Sequence, residues 1–186
     1  MARLEKPRGL NITFKPSERQ YELWNALQPN HCDKCGGKLV MKPNGFDKNG
    51  HQIYQATCDK CGNTDIPEQV LGGGSAGGGK SYIGCCWLTL NCMQFDGIRM
   101  VVARKVRKTL LETTWNTLKD VLKDWGLKQD VHYHINNLLY TITFWNGSEI
   151  IAMDLTPSPG DPDFNSLGSL EITGGFIDEV SEVSEK

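Results

Sequence analysis

The sequence predicts an α/β fold, a mostly parallel sheet with helices on both faces plus a small cysteine-rich insert, and three observations lead there. Strand-like runs alternate with helical runs downstream of a glycine cluster at positions 72–79, the order that produces a sheet covered by helices. A polar stretch of different texture, residues 31–65, carries the string Cys-Asp-Lys-Cys-Gly twice. The 186 residues suffice for one well-buried core and an appended module, not for two full-sized domains.

The elements follow in chain order. Ile12-Thr13-Phe14 is extended; Ser17 then serves as N-cap for a helix carrying Gln20, Tyr21, Leu23, Trp24 and Leu27, closed by Pro29 and Asn30. From Ile66 an apolar approach through Val70 and Leu71 leads into the glycine cluster, and a helix runs from Lys80 to about Phe95. Ile98 to Ala103 is a short strand. Lys108 to Trp125 reads as one amphipathic helix, with Leu110, Leu111, Trp115, Leu118, Val121, Leu122 and Trp125 on one face and Gly126 as its stop. Leu138–Trp145 and Ser148–Met153 flank Asn146-Gly147, a dipeptide suited to a tight hairpin turn. After a loop rich in Pro, Gly and Asp, a last strand, Leu170 to Ile177, runs into Asp178-Glu179.

A net charge of −2 creates no global field toward nucleic acid or an anionic membrane, though it leaves room for a local basic patch. The first residues, Met1-Ala2-Arg3-Leu4-Glu5-Lys6, lack the apolar core of a signal peptide, and no later run is long enough to span a bilayer. The expectation is a cytoplasmic protein, not secreted and without a membrane partner. In that compartment seven cysteines are reduced thiols or metal ligands rather than disulfides.

Gly74-Ser75-Ala76-Gly77-Gly78-Gly79-Lys80-Ser81 fits G-x-x-x-x-G-K-[ST] at the head of a helix. Backbone N–H groups must close around a polyphosphate there, and side chains on Cβ would obstruct them. The positive end of the helix attracts the same anion. Lys80 is placed to reach the β- and γ-phosphates, and the Ser81 hydroxyl to complete the coordination of Mg²⁺. A flexible glycine linker has no reason to end in Gly-Lys-Ser at a helix start. The sequence thus predicts a P-loop ATPase.

Hydrolysis also needs an acid for Mg²⁺ and a residue that orients water. Asp178 and Glu179, at the end of the last strand, supply the two: Asp178 as the Mg²⁺ carboxylate, Glu179 as the base that polarises water. At a strand's carboxyl end both can reach the crevice where such sheets bind ligands. Taken alone, the pair also fits an ordinary acidic strand terminus. These motifs give the fold its name, a P-loop NTPase of the RecA-like (ASCE) kind.

Cys32-x-x-Cys35 and Cys58-x-x-Cys61, each followed by glycine, have the spacing of a closed tetrahedral Zn²⁺ site. A module of roughly 30 residues cannot bury enough apolar area to fold alone, so a metal is its natural staple. Iron in a rubredoxin-like site uses similar spacing. The module has two readings, a stability or protein-docking element, or nucleic-acid contact through Lys34, Lys38, Lys42, Lys48 and Lys60. Cys85, Cys86 and Cys92 fall on the helix after the P-loop, where core packing accounts for them. His132 and His134 share one face of an extended stretch with no partner ligands, which points to packing or exposure.

The chain resembles the N-terminal ATPase region of tailed-phage terminase large subunits, the motors that package DNA into procapsids. Phe14-Lys15-Pro16 with Arg19-Gln20 before a helix, the P-loop, Val101-Val102-Ala103-Arg104-Lys105 with Thr109-Leu110, and Ile177-Asp178-Glu179-Val180-Ser181-Glu182 carry the likeness. The resemblance implies that Gln20 reads the adenine edge, making ATP the nucleotide; a solvent-facing helical Gln is the alternative. It implies that Arg104 senses the γ-phosphate or acts as a finger toward a neighbouring subunit, with Arg107 as competitor. Its expected partners are double-stranded DNA, the portal protein and the small terminase subunit, with a homo-oligomeric ring on the procapsid. Residues 1–30 then form the adenine-motif segment of the ATPase domain, 31–65 a zinc-ribbon-like insert, and 66–186 the P-loop core.

Two departures from the family pattern stand out. Positions 75–78 hold Ser, Ala, Gly and Gly, with no basic residue inside the loop, so a finger must come from elsewhere. The sequence given ends at Lys186, before the coupling motif and the RNase H-like nuclease domain of complete members; a fragment without nuclease activity is the expectation. Competing functions are a helicase or another RecA-type nucleic-acid-dependent ATPase with a zinc ribbon, and, from another class, a docking module whose P-loop binds nucleotide without hydrolysis. A GTPase lacks support because no N-K-x-D string appears, and an ABC-type ATPase because its signature motif is missing.

Overall fold

A computed structural model describes residues 4–10, 12, 16–27, 32, 34–46, 52–64, 70–72, 79–156 and 171–182. The chain divides into two compact units, Pro16–Gly78 and Met1–Lys15 with Gly79–Lys186.

In the first unit, helix α1 spans Glu18–Leu27. Ser17 N–H donates to Gln20 Oε1 at 2.9 Å and Gln20 N–H to Ser17 Oγ at 3.4 Å, a reciprocal capping box that satisfies two backbone donors of the helix start. Strands β1 (Leu39–Phe46) and β2 (Gln52–Cys58) form an antiparallel ribbon with Leu39 opposite Cys58 and Lys42 opposite Gln55. Residues 70–72 are not in a strand, and Ile66–Gln69, the rest of the expected approach to the glycine cluster, lie outside the described residues.

The second unit holds helix α2 (Lys80–Gln94), strand β3 (Arg99–Arg104), helices α3 (Arg107–Glu112) and α4 (Thr114–Asp124), strands β4 (Tyr133–Asn136), β5 (Thr141–Phe144), β6 (Glu149–Asp154) and β7 (Gly174–Ile177), and a 3₁₀ turn at Val180–Glu182. Five strands order as β4-β5-β6-β3-β7. Strand β3 lies parallel to both β6 and β7, whereas β5 runs antiparallel to β6 and β4 antiparallel to β5. The sheet is therefore mixed, not mostly parallel. The cause is local: Asn146-Gly147, with Gly147 at φ 80°, closes a tight hairpin, and tight hairpins make antiparallel pairs.

Burial explains why β3 lies inside the sheet. Met100, Val101, Val102 and Ala103 are all buried, the continuous apolar run expected of a strand covered on both faces. Helix α2 packs on β3, β6, β7 and α4, and contributes Ile83, Cys85, Cys86, Leu88 and Cys92 to the core. Burial pushes the Cys86 and Cys92 thiols up to about 12 and Cys85 higher still, which leaves them inert packing groups. Among the described residues, no helix is long and apolar enough to cross a membrane.

The single helix expected over Lys108–Trp125 is broken at Thr113, where φ −119° and ψ −88° leave the helical range. The Thr113 hydroxyl donates to Thr109 O at 2.7 Å, a local bond of the kind that competes with a regular helix. The stop at Gly126 is as expected: with φ 76°, its N–H donates to Lys123 O and Leu127 N–H to Leu122 O, both at 2.9 Å, a Schellman closure. Leu138 begins no strand, because Asn136 Oδ1 accepts from the N–H groups of Leu138 and Leu139 and forms a turn.

Candidate active site and metal centre

Three parallel strands, β6, β3 and β7, end together with Asp154, Arg104 and Asp178 at or just past their carboxyl ends. This is where open α/β sheets bind ligands. Gly74, Ser75, Ala76, Gly77 and Gly78 lie outside the described residues. Gly79 stands at the N-cap of α2 with φ 71° and, having no side chain, makes no side-chain cap bond. Lys80 and Ser81 are the first two residues of that helix.

Ser81 Oγ donates to the Asp178 carboxylate, at 3.1 Å from Oδ1 and 3.0 Å from Oδ2. The two residues are 97 positions apart in sequence. One helical turn beyond Ser81 lies the reason they meet: a Cβ at Gly84 would sit 2.7 Å from the Phe176 ring on β7. Only glycine lets α2 come this close to the strand that carries Asp178. Asp178 is 7% exposed and is anchored by its own N–H, which donates to Ala103 O at 2.8 Å.

A buried carboxylate needs hydrogen-bond donors, and Thr114 supplies another, its hydroxyl donating to Asp178 Oδ2. Glu179 follows with φ 51° and an exposed side chain. Positive φ is uncommon for a residue with a Cβ, and such conformations cluster at functional sites.

Arg104 is not free in solvent. Its Nε and Nη2 donate to the two oxygens of Glu182 at 3.1 and 2.9 Å, and Nη1 donates to Thr113 Oγ1 at 3.3 Å. The Glu182 hydrogen bonds hold the Arg104 guanidinium above its ordinary range, with Asp178 and Glu179 adding to the effect. The guanidinium in turn holds the Glu182 carboxyl below its usual range. Arg107, the competitor, pairs with Asp154 at 3.2 Å on a more exposed surface. Thr113, Thr114 and Asp154 join the site without a sequence motif that assigns them there, and Glu182 joins it from the Ile177–Glu182 string, which assigns it no role; a Thr-Thr step inside a helical pattern is the available signal for the first two.

Gln20 belongs to the other unit. Its Oε1 accepts from Ser17 N–H, so the capping role is filled, while the amide N–H₂ group takes no part in that bond.

In the ribbon, the two knuckles repeat one geometry. Gly36 N–H donates to Cys32 O at 2.8 Å and Gly62 N–H to Cys58 O at 3.0 Å, with φ 68° and 73° at the two glycines. The turn after each Cys-x-x-Cys needs the left-handed conformation that glycine adopts without strain. All four sulfurs lie within 4.8 Å of one another, Cys32 to Cys61 at 3.7 Å and Cys35 to Cys58 at 3.4 Å. A tetrahedron with Zn–S bonds of about 2.3 Å has S···S edges of about 3.8 Å, so the cluster fits the ion. Cys61 N–H donates to Cys58 Sγ and draws that thiol down to about 6. The Asn63 amide pulls Cys61 the same way, but the neighbouring sulfurs of Cys35, Cys58 and Cys32 outweigh it, and Cys61 rises to about 12. Four thiols this close repel one another once ionised, and a metal ion among them would relieve that repulsion.

No protein-family model matches the chain. Among solved structures, it is similar to the large terminase of a thermophilic bacteriophage, with a TM-score of 0.56 and 16% sequence identity over 92% of this chain and 34% of that one. The chain thus spans about a third of the length of the structure it matches. At that identity the likeness concerns the fold: this chain has a mixed α/β, terminase-like fold.

Proposed function

We propose that this chain is the ATPase part of a phage DNA-packaging motor, which couples ATP hydrolysis to movement of double-stranded DNA into a procapsid. The observation that carries the reading is the contact between Ser81, at the start of α2, and the buried Asp178 at the end of β7. A hydroxyl directly after a P-loop lysine, set against a carboxylate at a strand end, is the pair that holds Mg²⁺ in such ATPases. Held by Ser81 and Asp178, Mg²⁺ would supply charge neutralisation at the β- and γ-phosphates. Gly74 to Gly79 cradle the phosphates through their amides, Lys80 pairs with the β- and γ-phosphate oxygens, and Glu179 orients the attacking water. Gln20 contacts the adenine through its amide group. Arg104 acts on the γ-phosphate of its own or a neighbouring subunit's nucleotide after exchanging Glu182 for it.

The terminase-like fold supports the packaging reading over other ATPases. The ribbon 31–65 holds Zn²⁺ through Cys32, Cys35, Cys58 and Cys61. The portal protein, the small terminase subunit and further copies of this chain in a ring are its partners in the host cytoplasm. The test is hydrolysis of ATP with and without duplex DNA, alongside strand separation of a labelled duplex. The expected result is duplex-stimulated hydrolysis with the strands kept together. Unwinding would give a helicase, and ATP binding without turnover would give a nucleotide-dependent docking module.

A further inference from the structure

The break between α3 and α4 has a chemical consequence at Asp178. Had the helix run on through Thr113, the hydroxyl at position 114 would face a backbone carbonyl one turn back or solvent, as helical threonines do. Instead Thr114 is 1% exposed, and its Oγ1 reaches a carboxylate 64 positions away in sequence. The step is pinned from two sides: Cys85 Sγ on α2 donates to Thr114 O at 3.6 Å, and Arg104 Nη1 at the end of β3 donates to Thr113 Oγ1 at 3.3 Å.

We propose that Thr114 is a positioning residue whose buried hydroxyl fixes the Asp178 carboxylate against Ser81, so that divalent-cation affinity at that pair depends on a threonine from a different helix. The proposal rests on the reading of Ser81 and Asp178 as the Mg²⁺ pair. A carboxylate with free rotation about its Cβ–Cγ bond must be ordered before it can help hold a cation, and a fixed donor on one oxygen removes that requirement. Thr114 engages Oδ2, so of the two oxygens that Ser81 Oγ faces, Oδ2 at 3.0 Å and Oδ1 at 3.1 Å, Oδ1 is the one it does not occupy. Asp178 N–H is already committed to Ala103 O, so the backbone fixes the residue while the hydroxyl fixes its side-chain rotation.

The test uses Mn²⁺ as a paramagnetic probe with ATP, and ATP with EDTA as the metal-free arm. Thr114→Val keeps the volume and deletes the donor; Thr114→Ser keeps the donor. The expected result is that Thr114→Val raises the Mn²⁺ concentration needed to support ATP binding about tenfold, the low end for loss of a partner that orients a metal ligand. Metal-free ATP affinity stays at the wild-type value, and Thr114→Ser restores the Mn²⁺ titration. A purely structural role would instead weaken both arms together. Wild-type Mn²⁺ dependence in Thr114→Val, or no recovery in a folded Thr114→Ser protein, overturns the proposal. If the valine protein does not fold, Thr114→Ala, which also deletes the donor, takes its place under the same criteria. Should the wild-type chain itself bind ATP with no dependence on Mn²⁺, the functional reading falls, an outcome separate from failure of the Thr114 role alone.

Discussion

Stripping the metal from Cys32, Cys35, Cys58 and Cys61 is expected to unfold the ribbon while helix α2 and the sheet of β3 to β7 stay folded. The magnitude follows from two scales. A structural Zn²⁺ site contributes about 10–16 kcal/mol of apparent binding free energy, which matches or exceeds the roughly 5–15 kcal/mol that holds a typical domain together. Little else is available to hold the ribbon: Phe46, 70% exposed, leaves most of its ring in water, whereas the core around β3 uses none of the four clustered cysteines and is closed by Val102, Leu118, Leu122 and Phe144. Cys61 is exposed, which gives a chelator access to the ion. Hydrogen exchange followed by mass spectrometry reads the outcome by segment: protection across Leu39–Cys58 collapses on chelation and returns with zinc, while Met100–Ala103 stays protected. A ribbon that keeps its protection without metal would show that the four thiols are not a staple. A visibly coloured protein would indicate iron in place of zinc.

The second large effect is expected at Glu179. Glu179→Gln preserves size and polarity and removes the ability to accept a proton; ATP turnover should fall by about a hundredfold or more, the usual range for loss of general-base assistance. ATP affinity should stay close to wild type, because the side chain is assigned to the water and not to the phosphates. The residue's φ of 51° is equally accessible to Gln and Glu, so a change in backbone strain does not complicate the comparison. Single-turnover hydrolysis with binding measured in parallel separates the two quantities. Unaltered turnover would pass the role to another group near Asp178 and leave Glu179 as a surface acid.

The parts of this architecture that are readable from sequence are those written in local chemistry. Ser17 announces the start of α1, Gly126 the end of α4, and Asn146-Gly147 a hairpin, because each device works within a few residues of itself. The repeated Cys-Asp-Lys-Cys-Gly is legible for the same reason, since a metal site needs its ligands in short, turn-forming strings. The bond from Thr114 to Asp178 and the pairing of Arg104 with Glu182 span 64 and 78 positions, and nothing local in a threonine or a glutamate advertises a partner that far away. Gly84 is of this kind too: inside a helix it reads as a weak point, and only the Phe176 ring facing it shows that it lets the helix approach. The mixed sheet shows a different limit. Hairpin signals point to the pairing of β5 with β6, but alternation of strands and helices alone suggests more parallel neighbours than the short turn before β5 permits.

The central claim is that a nucleotide triphosphate and a divalent cation are held at the start of α2 against Asp178. Calorimetric titration of ATP with Mg²⁺ into the wild-type chain and into Lys80→Ala tests it most directly. Loss of a charge-assisted contact of about 1.5–3 kcal/mol predicts that the substitution weakens ATP binding by roughly 10- to 150-fold. Equal affinities for the two proteins would contradict it.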